Sequence, residues 1–255
     1  MKVTIITAVY NGAEHIASCI ESVLSQDYPN LEYIVVDGAS KDKTLEIVQS
    51  YGDRIAHCIS EPDKGMYDAM NKGLRIATGD IIGILNSDDF YANPTIISQV
   101  VSALEKSQAD SLYADIAFVS KDNLAKIVRY YSSASFAPWK FRFGYMPAHP
   151  SFFLKRKMYE KYGLFKTDFK LCADFDLLVR LYHTHKISSY YLPKMVVKMR
   201  MGGKSNQSLS NILLLNREIL RGCLENGIKT NLFFIYLKYF TKVFELLSGK
   251  NKQAQ

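Results

Sequence analysis

Three groups of polar side chains stand where apolar runs stop: Tyr10-Asn11, Asp37, and Asn86-Ser87-Asp88-Asp89. In an open parallel sheet such residues meet at the carboxyl edge of the strands, which is where ligands bind. Carboxylates and amides gathered there suit a polar ligand. Asp37 can accept hydrogen bonds from a base or ribose, and Asp88 can hold a hard cation between two phosphates. No G-x-G-x-x-G follows the first apolar run, and no G-x-x-x-x-G-K-[ST] occurs in the chain. Their absence argues against dinucleotide oxidoreductases and P-loop enzymes, so a carboxylate–metal clamp must hold the phosphates. Each acid alone has an ordinary reading as a turn residue. Their convergence on one edge favours a site.

A second acidic pair, Asp174 and Asp176, opens an apolar segment that predicts a helix from Asp174 to Tyr182. A helix N-terminus stabilises an ionised carboxylate, and a simple cap explains the same residues. His183-x-His185 lacks a third metal ligand in a recognisable motif and reads as an exposed helix end.

Alternating strands and helices must position these residues. Strands are predicted at Val3 to Val9, Leu31 to Val36, Ile55 to Ile59 and Ile81 to Leu85. Between them lie a helix carrying Ile16, Ile20, Val23 and Leu24, one capped by Ser40, and one from Gly65 to Ala77. Asn93-Pro94 reads as an N-cap and first helical residue of a helix to Lys106. The pattern then loosens. Strands are expected at Leu112–Phe118, Lys126–Tyr131, Ser151–Leu154, Tyr190–Leu192 and Val196–Met199, around an aromatic stretch from Phe136 to Tyr145. Helices at Gln207–Glu225 and Asn231–Leu247 finish the chain. The fold class is α/β, with a mostly parallel central sheet flanked by helices.

The net charge of +7 calls for a polyanionic partner: nucleic acid, an anionic membrane surface or a phosphorylated substrate. Between Lys229 and Lys252 five lysines oppose Glu245 alone, so much of the excess sits at the C-terminus. No basic stripe with interleaved aromatics runs through the half with the acidic strand ends, which argues against nucleic acid as a partner. Cys19, Cys58, Cys172 and Cys223 form no Cys-x-x-Cys pair, and the N-terminus has no signal-peptide pattern. A reducing cytoplasm is the expected compartment.

Taken together, Ile6-Thr7-Ala8-Val9-Tyr10-Asn11, Val35-Val36-Asp37-Gly38-Ala39-Ser40-Lys41-Asp42-Lys43-Thr44 and Leu85-Asn86-Ser87-Asp88-Asp89 resemble family-2 glycosyltransferases of the GT-A fold. Ser60-Glu61-Pro62-Asp63-Lys64-Gly65-Met66-Tyr67-Asp68-Ala69-Met70-Asn71-Lys72-Gly73 resembles a bacterial branch that builds capsule, exopolysaccharide or lipopolysaccharide side chains. The resemblance covers roughly residues 2–205, with the four motifs in family order. It implies a GT-A (nucleotide-diphospho-sugar transferase) catalytic domain over residues 1–225, with a donor half over about 1–110 and an acceptor half over about 111–205. A basic amphipathic C-terminal helix and tail, 226–255, follows. The implied reaction is an inverting, Mn2+- or Mg2+-dependent transfer of a hexosyl or N-acetylhexosaminyl group. The donor would be a nucleotide-diphosphate sugar, expected to be a UDP-sugar, and the acceptor an undecaprenyl-diphosphate-linked saccharide or a polysaccharide.

Carried onto this chain, the resemblance implies that Thr7, Val9 and Asn11 line the base and ribose pocket. Asp37 would bond the base, with Asp63 and Lys64 beside it, and Tyr10, Asn71, Asn86 and Ser87 would complete the nucleotide-sugar set. The family's metal motif is Asp-x-Asp, of which Asn86 takes the first position and Asp88 the second. Asparagine keeps an acceptor oxygen but no charge, so Asp88 is the expected metal ligand. Asp89, His149, Arg180 and Lys204 are expected near acceptor or phosphate, Lys204 by way of the Gly202-Gly203-Lys204-Ser205 loop. An acceptor hydroxyl is a poor nucleophile and needs a base. Where relatives commonly show Glu-Asp, this chain has Ala173-Asp174, which makes Asp174 the expected general base and Asp176 the reserve, with Arg180 orienting the segment. Asn86 and Ala173 both replace acids of the family pattern. A catalytically weak sugar-nucleotide-binding or scaffold subunit therefore stays open as the alternative.

In the last helix Lys238, Lys242 and Glu245 fall on one face, with Phe233, Leu237, Phe240, Phe244 and Leu247 largely elsewhere. The stretch is too short and too interrupted by lysine to span a bilayer, but its composition suits a headgroup boundary. The expectation is peripheral association with the inner face of the cell membrane. Packing on the catalytic unit, or on a second copy in a homodimer, is the alternative.

Overall fold

The computed structural model describes residues 1–201 and 209–247, so the Gly202-Gly203-Lys204-Ser205 loop lies outside the described residues. Apolar and β-branched runs make β1 (Val3–Val9), β2 (Leu31–Asp37), β3 (His57–Ser60) and β4 (Ile81–Ile84). Apolar residues three and four apart make α1 (Ile16–Leu24), α2 (Thr44–Gln49) and α3 (Met66–Ile76). Parallel strands need crossovers, and these three helices supply them: β1 pairs in parallel with β2 and β4, and β2 with β3.

The chain continues through β5 (Phe90–Tyr91), α4 (Ile96–Ser107), β6 (Ser111–Val119), β7 (Ile127–Tyr131), β8 (Phe153–Lys155), α5 (Arg156–Tyr162), α6 (Ala173–Val179) and β9 (Ser189–Arg200). It closes with α7 (Leu209–Glu225) and α8 (Leu232–Leu247). Among the described residues nine strands form one sheet, ordered β3-β2-β1-β4-β8-β6-β9-β5, with β7 beside β6. Short β8 runs antiparallel to both β4 and β6, and β9 runs parallel to β6. The two strands predicted at Tyr190–Leu192 and Val196–Met199 are one. Pro193 sits in a bulge between them, where the partner of β6 jumps from Leu192 to Met195.

Other boundaries shift for local reasons. Asn93 accepts from the Thr95 amide and hydroxyl in a turn that precedes the helix, so α4 starts at Ile96 rather than at Pro94. Ser40 does not cap α2, which begins at Thr44. The helix predicted to Tyr182 is α6 followed by a π-turn, Arg180–Thr184.

Side chains alternate across the sheet into two cores. Val3, Ile5 and Val9 pack with Ile16, Ile20 and Val23 of α1 and with Ile97 and Val100 of α4. Ile6, Ile34 and Val36 face Met70 and Leu74 of α3, in the core that also holds Phe175, Leu178 and Ile219. In α8, Ile235 is fully buried and Lys238, three residues on, shares its inward face. Lys238 is therefore buried, with its ammonium beside Gly144, rather than outward as predicted. The side chains of Phe240, Lys242, Phe244, Glu245 and Leu247 lie outside the described ones. No helix among the described residues is long and apolar enough to cross a membrane.

Candidate active site

The carboxyl ends of β1 and β2 carry loops that are fastened to each other. The Asn11 amide donates to Ser40 Oγ (2.8 Å), and the Lys41 amide donates back to Asn11 Oδ1 (2.8 Å). Gly12 N–H donates to Thr44 Oγ1 (2.8 Å), and Ala13 N–H to Asp42 Oδ2 (3.1 Å). Asn11 and Ala39 take left-handed backbone, φ +50° and +57°, and asparagine tolerates that region better than most residues. Tyr10, half exposed, projects from this rim.

Asp37 ends β2 fully buried, its carboxylate accepting from the Ser40 amide (3.3 and 3.2 Å) and Ser60 Oγ (2.6 Å). Next to it Gly38 leaves room for Asp63. A Cβ on Gly38 would lie 2.8 Å from Asp63 Oδ2. Lys72 holds Asp63 Oδ1 at 2.5 Å and Glu61 at 2.9 Å, so an ion pair sets Asp63 against the β2 edge. Lys64 is exposed, with its amide on Asp68.

The turn after β4 is organised by its own polar groups. Asn86 Nδ2 donates to Asp89 Oδ2 (2.9 Å), and the Asp89 amide donates to the Asn86 carbonyl (3.0 Å). Asp89, expected near acceptor or phosphate, is instead 1% exposed. Burial first, and the neighbouring Asp88 second, push its carboxyl up to about 8. Asp88 and Ser87 stay half-buried at the surface. Arg200, at the end of β9, donates to the Asp88 carbonyl and to Ser18 Oγ (2.8 Å) and lies 4.8 Å over the Phe90 ring. Strand β9 thereby braces the turn.

Asp174 opens α6 half-buried, its Oδ1 accepting from the Phe175 amide (2.9 Å) and from the Tyr67 hydroxyl (3.1 Å). Tyr67 belongs to α3 and stacks on Phe165 at 5.6 Å, and His149 meets the same ring edge-on at 5.9 Å. Burial lowers the pKa of His149 while Asp174 opposes the shift, which favours a neutral imidazole beside the carboxylate. One segment, Ser60 to Gly73, thus reaches both Gly38 through Asp63 and Asp174 through Tyr67.

Several expected contacts belong to the core. Thr7 lies on the odd-numbered face of β1, fully buried, where it accepts from Tyr33 Oη (3.1 Å). Val9 is buried on that face too, so neither side chain opens to the strand-end edge. Asn71 is 3% exposed and spends both ends of its amide on the Phe165 backbone (2.8 and 3.0 Å). Asp176 is fully buried against Lys166 (2.9 Å) and Asn226 (3.0 Å), which leaves it no opening to an acceptor. Arg180 donates to the Leu164 carbonyl (2.6 Å) and ties down the end of the α5 loop rather than facing a phosphate. Lys204 lies outside the described residues.

Among the described residues no three His, Cys, Asp or Glu side chains form a metal cage. The accessible donor set is Asp88 with the side-chain amide oxygen of Asn86. That set fits a hard divalent ion that keeps its waters and takes phosphate oxygens, as Mg2+ does with one or two carboxylates. Tyr67 and Arg200 were missed in the sequence. Tyr67 had a signal, being inside the Ser60–Gly73 motif, while Arg200 had only its place before Gly202-Gly203.

The model of the family described as Glycosyl transferase family 2 matches residues 4–163. An uncharacterised glycosyltransferase of Mycobacterium tuberculosis is 31% identical over 181 residues, which are 70% of this chain and 68% of that relative. Staphylococcus aureus TarS superposes with a TM-score of 0.68 at 18% identity, over 90% of this chain. This chain spans 41% of TarS, a shorter form of which is solved with UDP-GlcNAc. The mannosyltransferase PcManGT of Pyrobaculum calidifontis, solved with GDP-Man and Mn2+, superposes with a TM-score of 0.65 at 22% identity, covering 86% of this chain and 64% of that one.

Proposed function

The chain belongs to glycosyl transferase family 2 and has the GT-A fold, and from that premise we propose that it transfers a hexosyl or N-acetylhexosaminyl group from a UDP-sugar to a lipid-linked or polysaccharide acceptor, with inversion. The product would be a bacterial surface polysaccharide or its lipid-linked precursor, made at the inner face of the cell membrane. The nucleotide sugars bound by TarS and PcManGT, and the Mn2+ of the latter, support the donor class and the metal.

One observation carries the reading: Asp174 is a half-buried carboxylate whose Oδ1 is fixed by two donors, while Oδ2 takes no hydrogen bond among the described residues. Oδ2 accepts the proton of the acceptor hydroxyl as its oxygen bonds the anomeric carbon. The bond from that carbon to the diphosphate oxygen breaks, and the electron pair leaves with the diphosphate. Neutral His149 offers the acceptor a further hydrogen bond. Asp63 and Tyr10 would border the base and ribose, with buried Asp37 behind them holding Ser40 and Ser60, while Asn86 would offer its side-chain amide oxygen and Asp88 would hold the divalent ion. When bound, that ion neutralises charge on the leaving diphosphate.

The test pairs two variants. Asp174→Asn should lower turnover by about 10^3-fold with donor affinity intact. Asp88→Ala should abolish metal-dependent donor binding, measured as protection against thermal unfolding. Turnover retained by Asp174→Asn would remove the base. Metal-dependent protection retained by Asp88→Ala would remove the ligand.

A further inference from the structure

Trp139, the only tryptophan in the chain, stands on the 3-10 turn Pro138–Phe143 with 63% of its surface exposed. Phe233, in the first turn of α8, is 68% exposed, and Leu232 beside it 37%. These side chains belong to one line of rings. Trp139 meets Phe143 edge-on at 6.0 Å, Phe143 meets Phe234 at 5.7 Å, and Phe234 meets Phe233 at 5.9 Å. Cations stand among them: Arg142 lies 5.0 Å from the Phe234 centroid and 5.6 Å from that of Phe143, and Lys140 lies 5.6 Å from Trp139. A contiguous apolar surface of this kind marks an interaction site.

Charge selects the partner. Segments 136–148 and 226–239, which build the patch, contain Lys140, Arg142, Lys229 and Lys238 and no Asp or Glu. Lys238 is buried, but Arg142 and Lys229 are exposed and Lys140 half-buried. A two-fold dimer through this patch would set the same cations against each other, which is unfavourable. Aromatic rings bordered by cations suit the boundary between acyl chains and anionic headgroups.

We propose that the patch of Trp139, Phe143, Phe233 and Phe234, with Lys140, Arg142 and Lys229, docks the protein on an anionic lipid surface. The contact is made by the 3-10 turn and the first turn of α8, not by the Lys238 face expected from the sequence. Docking stands apart from the transfer chemistry, because vesicles without any acceptor saccharide suffice to observe it.

The sole tryptophan is a built-in reporter. The full chain would be mixed with vesicles of phosphatidylcholine alone or of phosphatidylcholine with phosphatidylglycerol, following tryptophan emission and co-sedimentation. The expected result is a shift of emission to shorter wavelength and sedimentation with the anionic vesicles only, weakened by salt. The double substitution Phe233→Ala and Arg142→Ala, which leaves Trp139 in place, should lower partitioning about 100-fold. Thermal protection by UDP-sugar and metal, measured on the same variant, should stay unchanged, so loss of docking and failure of the transferase reading are told apart. Absent binding, equal binding to neutral vesicles, or undiminished binding by the double variant would overturn the proposal. So would an emission shift that follows protein concentration without lipid, because it would assign the patch to a second copy.

Discussion

Replacing Tyr67 with phenylalanine removes one hydroxyl and nothing else from the Asp174 site. The hydroxyl donates to Asp174 Oδ1 at 3.1 Å, leaving only the Phe175 amide, at 2.9 Å, to orient the carboxylate. Tyr67 is 4% exposed, so no water takes over the bond, and the ring keeps its stacking on Phe165. Burial, with Asp174 second, raises the Tyr67 hydroxyl well above its usual pKa of 10.0, so it remains a donor through the neutral and mildly alkaline range. A hydrogen bond to a charged group is worth about 1.5–3 kcal/mol, which corresponds to roughly 10- to 100-fold in rate if the orientation matters only for proton transfer. Steady-state kinetics at saturating metal should show kcat lowered about tenfold or more, with donor KM within about twofold of the parent. Thermal unfolding on the same samples measures the folded fraction. An unchanged kcat would refute the orienting role. A fall in kcat matched by a rise in donor KM or by loss of folded protein would refute it equally.

Two further predictions concern binding and stability. Gly38→Ala places a Cβ 2.8 Å from Asp63 Oδ2 while Lys72 holds the other oxygen, so Asp63 must move; donor Kd measured by calorimetry should rise about tenfold, and an unchanged Kd would take Asp63 out of the nucleotide pocket. Burial of Glu32 works against its charge, but hydrogen bonds from Lys2, Thr4 and Thr78 outweigh it and hold the carboxyl down to about 2, below an ordinary 4.5. A depressed acid stabilises the fold above its unfolded pKa and loses that effect as pH falls through the folded value. Glu32→Gln should therefore cost about 2–3 kcal/mol in urea unfolding near neutral pH, with the difference shrinking as pH falls from about 4.5 toward 2; a difference constant with pH would refute the ionic role.

The strand ends were readable because polar residues interrupt apolar runs at Asn11, Asp37 and Asn86, and an open sheet gathers such interruptions at one edge. Inside a strand buried on both faces the same reading fails. Val3 to Val9 is apolar or threonine throughout, so nothing in the run shows that Thr7 and Val9 point under α1. Asn71 and Asp176 were misread for another reason. Their partners include Phe165 and Asn226, 94 and 50 residues away, and only the fold takes a polar side chain that looks available into the core. Lys238 followed the rule that charge faces water, whereas Ile235 fixes the rotation of α8 and takes Lys238 inward. Tyr190–Leu192 and Val196–Met199 form one strand because a bulge at Pro193 lets the pairing with β6 continue.

If the β1 and β2 loops border the donor as proposed, the four hydrogen bonds between them bear on how donor preference can be re-engineered. Three of them use a side chain of residues 40–44 to hold a backbone amide of residues 11–13, and the fourth uses the Asn11 side chain to hold the amide of Lys41. Each loop thus braces the other, and either one moved alone into a chimera would lose those bonds. Exchanging the 38–44 segment alone for that of a relative would deliver new side chains on a misplaced backbone. Residues 10–13 and 38–44 form the smallest transplantable unit, and variation at Asn11, Ser40, Asp42 and Thr44 would have to be inherited as a set.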